Sequence, residues 1–188
     1  MVASIVFAKA LKENNGYGIA EVGDYFTKLA NPDAKPSLHF IDPGYNVNQD
    51  GSKAYGGEGV WQDPQKVKEL WKHFGVDEIV THHRMTSEEY LQKLPGMGVP
   101  KIDILYVDGD HSFEGVTHDI IKFHPYLSAS ATVIAHDVHP DIDPSHGCGG
   151  YQAIHSLPDG LYQGSWLRVM PGLAILQKLE KDEPRIGV

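Results

Sequence analysis

The stretch IDILYVDGDHSFEGVTHDI, residues 102–120, carries a strand, a polar turn and the start of a helix. Ile102-Asp103-Ile104-Leu105-Tyr106-Val107 is rich in β-branched, aliphatic and aromatic residues, which fit a pleated, half-buried surface. Asp108-Gly109-Asp110-His111 ends the strand with turn-forming residues. From Phe113 to about Leu127, Val116, Ile120, Ile121 and Phe123 recur at helical spacing and give one apolar face. A strand that runs through a short turn into a helix is half of a crossover unit, the connection that parallel strands need.

The same alternation continues on both sides. Ala131-Thr132-Val133-Ile134-Ala135 reads as the next strand and ends on His136-Asp137. Gly150 to Leu157 reads as a helix, and strands near Tyr162–Val169 and Leu173–Lys178 flank Met170-Pro171-Gly172. Toward the N-terminus the expected order is a helix over Ser4–Glu13, a strand over Tyr17–Gly23 and a helix from Asp24 to Ala30. A strand over Ser37–Ile41 and a helix opened by Pro64 come next, followed by a strand over Glu78–His82 and a helix over Ser87–Leu94. Strand–helix alternation predicts an α/β doubly wound, Rossmann-like sheet, and the Pro-Gly turn predicts that the last two strands form an antiparallel hairpin at one edge. Residues 1–179 read as one domain, and 180–188 as a tail. Tyr45–Asp63, with four Gly and no periodicity, reads as a long binding loop or lid.

Composition narrows the function. The chain has 188 residues, 16 basic against 25 acidic, for a net charge of −9. That field repels phosphate backbones, and no basic stripe offsets it, so nucleic acid is not an expected partner. No apolar run approaches the roughly 20 residues of a membrane span, and the first segment becomes charged too soon for a secretion signal. The single Cys148 cannot close an internal disulfide, which fits a reducing compartment. The expectation is a cytoplasmic protein that acts on a small molecule, with homo-oligomerisation left open.

In an open parallel sheet, ligands bind beyond the carboxyl ends of the strands. Polar residues collect at those ends: Glu21, Asp42, Asp108 with Asp110 and His111, and His136 with Asp137. Asp42 could accept hydrogen bonds from ribose hydroxyls, or could make an Asp-Pro-Gly turn. Gly23 would let a ligand approach the backbone. Neighbouring strands lie ~4.8 Å apart, so Asp108, His136 and Asp137 could share a divalent cation, with imidazole moving preference away from Mg²⁺. His111 titrates near neutral pH and could accept a proton, or could serve as a helix-capping or supporting group. His139, Asp141, Asp143 and His146 add polar groups in the following loop.

Taken in order, Ile19-Ala20-Glu21-Val22-Gly23, Phe40-Ile41-Asp42, the 102–120 run and Thr132-Val133-Ile134-Ala135-His136-Asp137-Val138 resemble class I S-adenosylmethionine-dependent methyltransferases. The likeness is greatest to the branch of metal-dependent sugar O-methyltransferases and cephalosporin hydroxylase-like proteins. It implies a seven-stranded sheet with the last strand antiparallel. It also implies cofactor contacts from Glu21, Gly23, Asp42, Thr86, Ser87 and Asp108, and a Mg²⁺ or Mn²⁺ site at Asp108, His136 and Asp137. The base it implies is His111 or Asp110. In place of the usual small residues of the first motif stand Asp24-Tyr25-Phe26, and His136 replaces a usual acid. The function expected is S-adenosylmethionine-dependent, metal-assisted O-methyl transfer to a small hydroxylated acceptor such as a sugar. A metal-dependent hydrolase and a non-catalytic binding module of the same fold are the alternatives.

Overall fold

A computed structural model describes residues 8–10, 12, 37–43, 63–142 and 148–179. These fall into two compact units, residues 1–90 and 91–188. The expected strand over Tyr17–Gly23, the helix from Asp24, most of the 45–63 loop and the 180–188 tail lie outside the described residues.

In the first unit, β1 (Leu38–Ile41) and β2 (Val80–His83) pair in parallel, Phe40 opposite His82 and Ile41 opposite His83. Helix α1 (Pro64–His73) begins where Asp63 accepts a hydrogen bond from the Gln65 amide at 2.9 Å, with Pro64 in the first turn. Its Val67 and Trp71 are fully buried with Val76 and Ala8, and Leu38, Phe40, Ile79 and Val80 pack against them. Alternation puts His39 and His83 on the opposite face. There His39 Nδ1 lies 2.7 Å from the buried Tyr90 hydroxyl and 3.0 Å from His83 Nε2.

Helix α2 (Ser87–Lys93) starts with a reciprocal cap. Glu89 accepts from the Thr86 amide at 2.8 Å, and Thr86 Oγ1 accepts from the Glu89 amide at 3.2 Å.

The second unit is built on a four-stranded sheet in the order β3 (Ile102–Val107), β4 (Leu127–His136), β6 (Leu173–Lys178), β5 (Tyr162–Leu167). β3 and β4 are parallel, and β6 runs antiparallel to both its neighbours. The expected hairpin is present, with its last strand inserted between β4 and β5. Helices α3 (Phe113–Phe123) and α4 (Gly150–His155) complete the unit. Its core joins Val116 and Ile120 of α3 to Val133, Ala135, Ala174 and Leu176 of the sheet and to Ala153 and Ile154 of α4.

Two boundaries differ from expectation. Helix α3 stops at Phe123 rather than near Leu127, and His124–Tyr126 form a 3-10 turn. Pro125 has no amide hydrogen to continue the helix and disfavours helical backbone before it. Leu127–Ser130 instead opens β4. Six strands in two sheets are described, so the expected count of seven is not confirmed.

Candidate active site

The register that pairs Val107 with Ala135 brings the carboxyl ends of β3 and β4 level. Asp108, just past β3, and His136, the last residue of β4, therefore stand side by side, and Asp137 follows. Asp137 takes a left-handed backbone, φ 56°, the one non-glycine residue among those described to do so. An L-residue held there carries strain of roughly 1–2 kcal/mol, a cost that often marks a functional turn.

The side chains converge. His136 Nδ1 stands 3.1 Å from Asp108 Oδ1 and 3.1 Å from Asp137 Oδ1. His111 Nδ1 lies 2.9 Å from Asp137 Oδ2, while its Nε2 is 3.4 Å from Asp108 Oδ1, an ion-pair separation rather than a good hydrogen bond. One oxygen or nitrogen from each of Asp108, His111 and Asp137 falls within 4.8 Å of the others. His111 Nε2 and His136 Nδ1 are shielded from solvent and lack a hydrogen-bond partner. Buried ring nitrogens left over beside two carboxylates suit a divalent cation with mixed oxygen and nitrogen ligands.

The electrostatics follow from this arrangement. The Asp108 carboxylate raises the pKa of His111, burial opposes the change, and the charge of Asp137 adds to the rise. Burial alone would raise Asp108, but His111, His136 and the Tyr106 hydroxyl together hold it below the ordinary carboxylate value. Burial, reinforced by the Asp108 charge, pushes the Tyr106 phenol up to about 12, so it remains a donor at neutral pH.

The turn that carries His111 is held from several sides. Asp110 Oδ1 accepts from the Ser112 amide at 2.9 Å, and Ser112 Oγ caps α3 by accepting from the Gly115 amide at 3.0 Å. Gly115 lies so close to Asp110 that a Cβ there would collide with its side chain and carbonyl. The Gly149 amide donates to the His111 carbonyl at 2.7 Å, and a Cβ on Gly149 would run into the Phe113 backbone. On the other side, a Cβ on Gly150 would press on the Asp137 carbonyl at 3.0 Å. Two successive glycines thus let one chain segment touch both turns of the site. Neither these glycines nor Tyr106 stood out from the sequence, although the Gly149-Gly150 pair was visible there.

The remaining expected site residues divide between the two units. Asp42 follows β1, its amide donates to the His83 carbonyl at 3.1 Å, and its charge acts on His82. Thr86 and Ser87 stand at the start of α2, where the Thr86 hydroxyl is engaged by Glu89 at 3.1 Å. Asp110 is the exposed residue that shapes the His111 turn. His139 accepts from the Asp141 amide at 3.1 Å and lies outside the Asp108–His111–Asp137 trio. Glu21, Gly23, Asp143 and His146 lie outside the described residues.

Comparison with known families places the chain among class I methyltransferases. Residues 2–138 match the family model described as "Methyltransferase domain", and the chain belongs to that family. No curated protein matches it by sequence. Among solved structures, it resembles the O-methyltransferase TomG of Streptomyces achromogenes, solved in complex with SAM. The identity is 13%, the TM-score 0.58, and the match covers 95% of this chain and 80% of TomG. A Klebsiella pneumoniae protein described as a putative O-methyltransferase is 16% identical with TM-score 0.55, over 94% of this chain and 90% of that one. The O-methyltransferase of Bacillus cereus, solved with SAH, is 11% identical with TM-score 0.52, over 94% and 90%. At these identities the likeness is one of fold. Among the described residues, no helix is long and apolar enough to cross a membrane.

Proposed function

We propose that the protein transfers the methyl group of S-adenosylmethionine to a hydroxyl of a small acceptor, assisted by a divalent cation. The observation that carries this reading is the meeting of Asp108, His111, His136 and Asp137 at the ends of two adjacent parallel strands in a methyltransferase-family chain. Asp108, His136 and Asp137 would hold the cation. The set has two anionic oxygens and one imidazole, which suits Mn²⁺ at least as well as Mg²⁺. When bound, such an ion lowers the pKa of a neighbouring hydroxyl.

His111 is the proton acceptor in this reading. Its raised pKa makes the neutral ring a stronger base, and the strongest general bases are those matched to the working pH. Asp137 on Nδ1 fixes the ring plane and stabilises the imidazolium once the proton arrives. Asp110 acts through His111 by shaping the turn. Asp42, Glu21, Gly23, Thr86 and Ser87 are the proposed cofactor contacts, carried by the family resemblance, and Asp108 borders the cofactor as well as the cation. The compact trio of Asp108, His111 and Asp137 favours a second assignment, in which His111 ligates the cation in place of His136.

Calorimetry with S-adenosylmethionine and S-adenosylhomocysteine, with and without Mn²⁺, tests the reading. Cofactor binding is expected, and Asp108→Asn should weaken Mn²⁺ binding by about tenfold or more. Absence of heat at millimolar cofactor would end the proposal. His136→Gln and His111→Gln separate the assignments: the variant that loses Mn²⁺ identifies the ligand, and the one that keeps Mn²⁺ but loses rate identifies the base.

A further inference from the structure

A cavity of about 120 Å³ opens at the same end of the four-stranded sheet as the carboxylate–imidazole cluster. Its lining includes His139 after β4, Tyr151 and His155 on α4, and Trp166 and Arg168 at the end of β5. Three of these residues pack their rings into one aromatic cluster. The Tyr151 and His155 rings lie 4.1 Å apart, and His155 stacks on Trp166 at 4.7 Å with the planes 24° apart. The His155 ring is fixed by its Nδ1–H, which donates to the Tyr151 carbonyl at 2.8 Å. Rings packed on one another offer their free edges to a neighbour, and such edges suit the face of another ring in an edge-to-face contact. The volume is close to that of a cavity of about 150 Å³ known to admit benzene, so one six-membered ring fits.

The polar side of the cavity is cationic or hydrogen-donating. Arg168 is exposed and makes no ion pair among the described residues. His139 accepts from the Asp141 amide at Nδ1, so its neutral ring carries the proton on Nε2. Among the described residues no carboxylate lines the cavity, although the chain as a whole carries −9. A guanidinium with no ion pair among the described residues, beside an aromatic cluster in an acidic protein, selects for an anionic ring, and the planar fork of arginine matches a carboxylate. The cavity also borders the cluster. Only Val138 separates Asp137 from His139, which limits their Cα atoms to about 7 Å, and Gly150, which abuts the Asp137 carbonyl, directly precedes Tyr151.

We propose that this cavity binds a hydroxylated aromatic carboxylate, its ring against Tyr151, His155 and Trp166 and its carboxylate on Arg168. The binding site stands on its own geometry; only the fate of the ligand's hydroxyl rests on the methyl-transfer reading. The probes are 4-hydroxybenzoate, its neutral counterpart 4-hydroxybenzamide, and glucuronate as a non-aromatic anion, titrated by calorimetry without S-adenosylmethionine. The expected result is 4-hydroxybenzoate bound about tenfold more tightly than the amide. Arg168→Gln should bring the two to equal affinity, and Trp166→Leu should weaken both. Equal binding of acid and amide to the unaltered protein would overturn the proposal. So would a preference that survives Arg168→Gln, tighter binding of glucuronate, or no binding of either benzoate probe. Methyl transfer to the bound ring is scored separately, so binding without turnover counts against the transferase reading and leaves the site intact.

Discussion

Replacing Gly149 with Ala should unseat His111 without touching any side chain of the site. A Cβ at Gly149 would fall well inside contact distance of the Phe113 amide nitrogen and Cα, and backbone atoms of a capped helix start cannot rotate aside. The accommodation must come from moving the His111–Phe113 turn or the start of α4. Overpacking of this kind costs about 1–3 kcal/mol. Strain in the 2.7 Å bond from the Gly149 amide to the His111 carbonyl adds up to about 1 kcal/mol. Alanine is also a poorer residue than glycine at the N-cap of α4, the position Gly149 occupies. Together these give a loss of about 2–4 kcal/mol, or a melting-temperature drop of at least about 5 °C for a chain of this size. A shift of His111 by about 1 Å would lower methyl transfer on the order of 100-fold. The assay is thermal denaturation of Gly149→Ala beside Gly109→Ala. Gly109 lies between Asp108 and Asp110, yet a Cβ there meets nothing within 4 Å, so this control should melt within about 1–2 °C of the parent protein. Equal melting of both variants with the parent would refute the packing argument.

The cluster and the start of α2 each carry a further expectation. In metal-free protein, the His111 ring should titrate by NMR above 6.5, and Asp108→Asn should move it down; a midpoint at or below 6.5 in the parent would contradict the ion-pair geometry. The sign for stability follows: the raised imidazole contributes fully below 6.5 and loses its contribution as pH rises through its folded value. The depressed Asp108 contributes above 3.8 and loses its contribution as pH falls through its own. Separately, Thr86→Ala removes the reciprocal cap of α2 and should cost about 1 kcal/mol in chemical denaturation, with Thr86→Ser restoring most of it.

Much of the second unit was legible because its strongest signals are local. Ile102–Val107 matches β3 residue for residue, since its composition and its Asp-Gly terminus point the same way. Asp108, His136 and Asp137 were recognisable as a set because they end strands that a crossover helix must make parallel. The start of β4 was not legible: Leu127-Ser128-Ala129-Ser130 lacks the bulky residues of a strand and owes its conformation to pairing with β3 across a register irregularity after Ile102. Nor could spacing reveal that His111 contacts Asp108 and Asp137 at once, because that contact depends on how Gly149 and Gly150 seat the chain between two turns. The Thr86–Glu89 cap follows a pattern visible in Thr86-Ser87-Glu88-Glu89, the same residues at which the family resemblance implies ligand contacts.

The placement of β6 between β4 and β5 has a consequence for synthesis on the ribosome. β4 and β5 share no direct pairing and are joined only through β6. Until residues 173–178 have been translated and released from the exit tunnel, both strands present bare ladder edges to neighbouring nascent chains. His136, at the end of β4, gains its neighbour on that side, Leu173, only with this last strand.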